Sequence, residues 1–213
     1  TKFLPPDWVY QACDMPCLLF FDELDRADQA VRQGVFEVGD SRQLNGHKFH
    51  PRTIIFAACN GGVHGAKYQV QDLDPAEADR WATWELSPTP EDWLDWAKDR
   101  VHYLIYDFIR ENNNHLEHHG HFDQSRVFPS RRSWDRLSQV LVKSDSLDGD
   151  NKISTEMLYV TSSGFVGPEA AEAFRDFVTN YDSRYGPKEI FEQGKFDLTE
   201  NWTLARHSIF VEK

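Results

Sequence analysis

Cysteine is scarce in this chain: Cys13, Cys17 and Cys59 are the only three among 213 residues, and no Cys-x-x-Cys pair occurs. An odd set without paired spacing signals neither a disulfide framework nor a zinc ribbon, so a reducing, cytoplasmic setting is expected. Long apolar runs are also lacking. None approaches the ~20 residues a membrane helix needs, so no membrane association is expected. Positive charge is short, with 23 Lys and Arg against 35 Asp and Glu, a net charge of −12. A general duplex-binding surface needs cations to replace counterions, which makes a nucleic-acid motor or nuclease the weakest of the readings below. The opening residues Thr1-Lys2-Phe3-Leu4-Pro5-Pro6 lack an initiator Met, so the chain is expected to be the later part of something longer. No internal repeat or low-complexity segment is visible. What remains suits a folded core: 40% of residues are hydrophobic and 14% aromatic, in a length that allows one large domain or two small ones.

The most informative stretch is Cys17-Leu18-Leu19-Phe20-Phe21-Asp22-Glu23-Leu24-Asp25-Arg26-Ala27. Its apolar run has no alternation, which predicts a strand buried on both faces, as in a parallel α/β sheet. Such a strand delivers Asp22 and Glu23 to its carboxyl end, where α/β sheets bind ligands. One carboxylate there can hold Mg²⁺, usually through water. The next can polarise a water for attack on a phosphate. Taken alone, the stretch reads equally well as a core strand ending in two solvated acids.

Around it the pattern is orderly. Asp7 to Cys13 predicts a short helix. Asp25 or Asp28 can cap a helix over Gln29 to Val38. Asn45-Gly46 predicts a hairpin over 42–50. Arg52 to Cys59 is a second buried strand, closed by the turn residues Asn60-Gly61-Gly62. Asp74-Pro75 starts a helix. Ala82 to Leu86 reads as a short third strand before Pro88 and Pro90. From Glu91 the spacing turns helical, first through Trp93, Leu94, Ala97, Val101, Ile105 and Phe108, then over Ser133 to Leu141, Ile153 to Thr161 and Pro168 to Tyr181. Strands come early and helices late.

In order along the chain stand strand-Asp22-Glu23, strand-Asn60, a helix ending in Asp79-Arg80-Trp81, and Pro129-Ser130-Arg131-Arg132-Ser133-Trp134. This series resembles the AAA+ ATPases, and within them the MoxR-like branch, over roughly residues 3–180. Leu19 to Ala27 is similar to the Walker B strand, Ile55 to Asn60 to the sensor 1 strand, Asp72 to Trp81 to the segment with the arginine finger, and Arg132 to the sensor 2 arginine. The resemblance implies an AAA+ α/β core with a parallel sheet at 1–88, a helical lid at 89–185 and a C-terminal tail at 186–213. It implies ATP and Mg²⁺ as ligands, with Asp22 holding the metal shell, Glu23 activating water and Asn60 fixing that water or the γ-phosphate. Arg80 would enter a neighbouring subunit's site, and Arg132 would reach the nucleotide from the lid. It further implies a homo-oligomeric ring, six subunits being expected, that remodels a protein client such as a von Willebrand factor A-domain protein. Read singly, Asn60 is a turn residue, Arg80 a surface salt-bridge partner and Arg132 a cation near acids or a helix end.

One departure matters. No Gly-x-x-x-x-Gly-Lys-Ser/Thr phosphate loop occurs in these residues. Either that segment lies upstream or it has been lost, and a non-catalytic structural or regulatory subunit stays open as the alternative. Two lesser clusters, His115, His118, His119 and His121, and Asp145, Asp148 and Asp150 around Gly149, read as solvated loops rather than metal sites. Lys48 and His47 at the hairpin could touch a client or be merely structural.

Overall fold

The computed structural model describes residues 4–60, 75–119, 123, 125–147, 153–181, 190 and 192. The chain divides into two compact units, Thr1–Leu86 and Ser87–Lys213.

In the first unit, helix α1 (Asp7–Asp14) precedes strand β1 (Leu18–Phe21), a 3₁₀ turn (Leu24–Arg26) and helix α2 (Gln29–Ser41). The two-residue strands β2 (Gln43–Leu44) and β3 (His47–Lys48) form the expected antiparallel hairpin. Asn45 and Gly46 both take positive φ, 48° and 82°, as a tight two-residue hairpin turn requires. Strand β4 (Ile54–Ala57) then pairs parallel with β1 in the register Leu18↔Ile54 to Phe21↔Ala57. The short helix α3 (Pro75–Ala78) starts at the expected proline. Val9, Ala12, Val38 and Phe49 form the core, with Leu19, Phe21 and Ile55 packed on it.

That core covers one face of the β1–β4 pair. The other face is open: Leu18 is 62% exposed, Phe20 57%, Ile54 55% and Phe56 48%. The expectation of a strand buried on both faces is therefore corrected. An unbroken apolar run fixes that both faces are apolar, but burial of the second face needs a second layer, and the described residues supply a layer on the first face only. The third strand expected at Ala82 to Leu86 is not a strand. Trp84 and Leu86 are 75% and 85% exposed, and no ladder partner lies beside them among the described residues.

In the second unit, helices α4 (Pro90–Ala97), α5 (Tyr103–Glu111), α6 (Arg131–Lys143), α7 (Thr155–Val166) and α8 (Pro168–Thr179) follow one another, with a 3₁₀ turn at Asn113–His115. Several helix starts are written in the sequence. At α4 the Asp92 amide donates to the Thr89 hydroxyl (3.2 Å) and the Thr89 amide to the Asp92 carboxylate (2.7 Å), with Pro90 in the first turn. These bonds hold the Asp92 carboxyl below its ordinary pKa. Ser130 and Ser133 form the same reciprocal cap at α6. Gly167 joins α7 to α8 at φ 81°, and a Cβ there would run into the Val127 carbonyl.

The core of this unit centres on Trp134, Phe108 and Phe174, all essentially buried, with ring centroids 5.4–5.6 Å apart. The Trp134 indole donates to the His115 carbonyl at 2.8 Å, so its polar atom is satisfied inside the core. Asp107 is fully buried, accepts from the Tyr181 hydroxyl at 2.6 Å and pairs with Arg110 at 3.2 Å. Removing one donor leaves the carboxylate under-satisfied. Tyr181→Phe is expected to lower the stability of this unit by about 1.5–3 kcal/mol, the worth of a hydrogen bond to a charged group. Urea denaturation followed by tryptophan fluorescence measures it, and a shift under ~0.5 kcal/mol would remove Asp107 as a structural anchor.

Candidate functional site

Parallel pairing of β1 and β4 brings their carboxyl ends together. The pairing continues one step past the strands: the Ala58 amide donates to the Phe21 carbonyl at 2.8 Å and the Leu24 amide to the Ala58 carbonyl at 3.0 Å. Asp22 and Glu23 leave one strand where Asn60 leaves the other. Asp22 and Glu23 are exposed and Asn60 is half-buried.

Glu23 has φ 52° and ψ 42°, a left-handed backbone that costs a residue with a Cβ roughly 1–2 kcal/mol. It turns the chain sharply out of β1 into the 3₁₀ turn. Its carboxylate accepts from Arg26 at 3.1 Å, with both side chains nearly half exposed. Such a pair is weak and readily exchanged for another contact. Asp22 makes no side-chain hydrogen bond or ion pair among the described residues, and neither does the Asn60 side-chain amide. Asp22 and Glu23 line a cavity of about 400 Å³ whose other walls include Trp8, Phe20, Val31 and Val35. Two acids thus sit at the edge of a mainly apolar hollow.

Asp25 is the residue that sequence reasoning misplaced. Of the two residues expected to cap α2, Asp28 takes the N-cap position, without a side-chain capping bond, and Asp25 does not. Asp25 is 2% exposed, and its Oδ2 accepts the Asn60 backbone amide at 2.6 Å. It ties the loop after β1 to the end of β4. Its Oδ1 is buried with no hydrogen-bond partner among the described residues.

The two arginines are placed differently. Arg80 lies in the same unit, exposed, with its guanidinium 5.0 Å from the centre of the Phe36 ring on α2. It does not line the cavity of Asp22 and Glu23. Arg132 lies in the second unit, exposed at the start of α6. Its neighbour Arg131 is taken up structurally, pairing with Glu117 and donating to the carbonyls of Thr89 (3.1 Å) and Pro88 (2.6 Å). So Asp22, Glu23 and Asn60 come together, Arg80 sits elsewhere on their unit, and Arg132 belongs to the other.

Mg²⁺ commonly keeps several waters and takes one or two carboxylates plus substrate phosphates. The Asp22 carboxylate, exposed and without a side-chain partner among the described residues, suits such a sparse shell. Among the described residues no group of three or more His, Cys, Asp and Glu forms a metal cage. His115 stacks on Phe108 and His118 on Phe128, His119 is exposed, and His121 lies outside the described residues, as do Asp148 and Asp150.

Two outcomes follow from this geometry. Asp25→Ala removes the acceptor of the Asn60 amide, so protection of that amide in hydrogen exchange should fall, with about 1–3 kcal/mol lost from the first unit. Unchanged exchange at Asn60 would show that the clamp does not hold the loop. Separately, burial, with the nearby Asp14 charge adding to it, pushes the Cys13 thiol above its ordinary pKa, whereas Cys59 beside Asn60 is exposed. A raised pKa leaves less thiolate at a given pH, so iodoacetamide at pH 8 should modify Cys59 well before Cys13. Peptide mass spectrometry over time reads the order.

No protein-family model matches this chain, no curated protein matches it in sequence, and no solved structure matches it.

Proposed function

We propose that this chain carries the acid-and-amide half of an ATP-hydrolysing site of the MoxR-like AAA+ kind. The observation that supports this most is the convergence of Asp22, Glu23 and Asn60 at the carboxyl ends of two hydrogen-bonded parallel strands. Glu23 exchanges its exposed contact with Arg26 for the attacking water, orients it in line with the γ-phosphate and takes its proton. Asn60 offers a neutral donor and acceptor to that water or to a phosphate oxygen, adding no charge. Asp22 would hold the water shell of a Mg²⁺ ion, which when bound would supply neutralisation of phosphate charge. Asp25 acts through position, keeping the loop of Asn60 against the turn of Glu23.

The remaining parts rest on the resemblance. Arg80, exposed on its unit, supplies a cation to the site of an adjoining copy in a ring, six copies being the expected number. Arg132 reports the nucleotide from the helical unit. The work done is the remodelling of a protein client, with a von Willebrand factor A-domain protein as the first candidate. The reading requires a phosphate-binding loop from outside these 213 residues, since no Gly-x-x-x-x-Gly-Lys-Ser/Thr is present among them. That same absence favours the second reading, a non-catalytic structural or regulatory subunit using the fold for protein contacts.

Steady-state ATPase measurement on the full-length protein separates the two. Glu23→Gln should retain bound ATP while turnover falls by about 10²-fold or more, the usual worth of a positioned base. Turnover equal to wild type would discard Glu23 as the base. Failure of the full-length wild-type protein to bind ATP at all would decide for the non-catalytic reading.

A further inference from the structure

The turn of the β2–β3 hairpin carries chemistry of its own. It consists of Asn45 and Gly46 alone, because Leu44 and His47 already face each other across it. Both turn residues are exposed. In an Asn-Gly pair the backbone nitrogen of the glycine can close a five-membered ring onto the asparagine side-chain carbon, and glycine, having no Cβ, crowds that approach least. A Cβ built on Gly46 would meet nothing within 4 Å among the described residues, so solvent has access to the bond. The chain holds a second such pair, Asn60-Gly61. There Asn60 is half-buried and its backbone amide is tied to Asp25 at 2.6 Å.

One side chain holds this turn shut. Glu37, half-buried on α2, accepts the Asn45 backbone amide at 2.7 Å with one carboxylate oxygen and the Gln43 side-chain amide at 2.9 Å with the other. Bonds to an ionised acceptor are stronger than neutral ones. The tip of the hairpin is thereby tied to α2 through Glu37. Its base is held by Phe49, buried in the core, whose amide donates to the Arg42 carbonyl at 2.9 Å. The hold at the tip matters because of the backbone there. Asn45 has φ 48° and Gly46 φ 82°, both in the left-handed region. Closing the ring between the Gly46 nitrogen and the Asn45 side chain requires an Asn45 ψ outside the left-handed well. The turn has to open before the ring can form, and local opening is governed by the few bonds that close it.

We infer that Asn45 is a site of covalent self-modification, converted by water to aspartate and isoaspartate at a rate that the Glu37 clamp sets. The Gly46 nitrogen, its proton taken by hydroxide, forms a bond to the Asn45 side-chain carbon. The bond from that carbon to the side-chain nitrogen breaks, and the nitrogen picks up a proton from solvent and leaves as ammonia. One water then opens the ring. Addition at the side-chain carbon restores the backbone as aspartate, and addition at the backbone carbonyl carbon leaves the chain running through the side chain as isoaspartate. The sum is asparagine and water giving the acid and ammonia, with nothing oxidised or reduced. Isoaspartate lengthens the backbone by one carbon, and a two-residue loop between two-residue strands has no slack for it. Either product also adds a negative charge at the residue whose amide Glu37 holds, and like charges weaken that hold. Conversion therefore unfastens the hairpin from α2 and does not reverse itself. Neither Asn45 nor Glu37 enters the hydrolysis chemistry, so the inference does not rest on it.

The test is incubation of the full chain in mildly alkaline buffer over days, with peptide mass spectrometry to read amide-to-acid conversion at Asn45 and Asn60 separately and a protein isoaspartate methyltransferase assay to count the isoaspartate. The same chain unfolded in guanidinium chloride gives the rate with no clamp. Folded wild type should convert Asn45 more slowly than the unfolded chain. Glu37→Ala should speed conversion at Asn45 about tenfold or more, the rate equivalent of one hydrogen bond to a charged group, and leave the rate at Asn60 unchanged. Glu37→Gln, which keeps an acceptor and loses its charge, should fall between wild type and Glu37→Ala. Equal rates at Asn45 in wild type and Glu37→Ala, both folded by circular dichroism, overturn the inference. So does an Asn45 that stays intact in folded Glu37→Ala over the time in which the unfolded chain converts. If Glu37→Ala does not fold, Glu37→Gln decides: a rate at Asn45 no faster than wild type overturns the inference. ATPase activity enters none of these readouts, so failure of the hydrolysis reading leaves this result intact.

Discussion

The first unit depends on one constraint: two strands of four residues each, lying parallel, must be held in register by something other than a hairpin. Parallel neighbours cannot be joined by a tight turn, and their pairing is slightly weaker per residue than antiparallel pairing. Here the register is locked at both ends. At the carboxyl end Asp25 accepts the Asn60 amide and the Leu24 amide reaches Ala58. At the amino end the Thr53 hydroxyl donates to the Ala12 carbonyl, the Ile54 amide to the Cys17 carbonyl, and Arg42 holds the carbonyls of Pro51 and Thr53. A short parallel pair with only its four-residue ladder would slip. With polar clamps outside the ladder, a shift by one residue breaks several of these bonds at once.

The clamp at Asp25 also explains why a carboxylate lies 2% exposed in so small a unit. A buried carboxylate is costly unless hydrogen-bonded. One oxygen is answered by a short bond to a backbone amide, and the other is left without a protein partner among the described residues. A half-satisfied buried acid, adjacent to an exposed one and to a residue in left-handed conformation, concentrates unfavourable terms at one turn. Strain of that kind survives where surrounding structure over-determines it, and its usual setting is a functional turn.

Much of this was legible in the sequence, and the failures have physical reasons. Asn45-Gly46 announced the hairpin because both positions need positive φ, which those residues supply. Thr89-Pro90 and Ser130-Arg131 sit where α4 and α6 begin because a hydroxyl before a helix satisfies an orphan amide. Leu18 to Phe21 announced a strand but not how many layers would cover it, since periodicity records the character of a side chain and not the presence of its partner. Trp84 and Leu86 failed as a strand for a related reason: strand propensity without a neighbouring edge produces no ladder. Asp22 and Glu23 on one strand and Asn60 on the other, the last singled out by the resemblance, lie at one end of the pair because parallel strands deliver both carboxyl ends to one place. The role of Asp25 was hidden because a cap and a cross-strand clamp use the same residue type.

The two ends of the β1–β4 pair therefore carry opposite signs. Asp22 and Glu23 stand at the carboxyl end, and Arg52 and Arg42 at the amino end. A strand of four residues spans roughly 13 Å, while the screening length at physiological salt is about 8 Å. Exposed charges at the two ends thus interact weakly through solvent. Each end is answered by its own local groups: Arg26 pairs with Glu23 at the acidic end, and the Pro51 and Thr53 carbonyls accept from Arg42 at the basic end. What the two ends share is the register of the β1–β4 ladder. Slippage of that ladder would disturb the Asp25 and Thr53 clamps together.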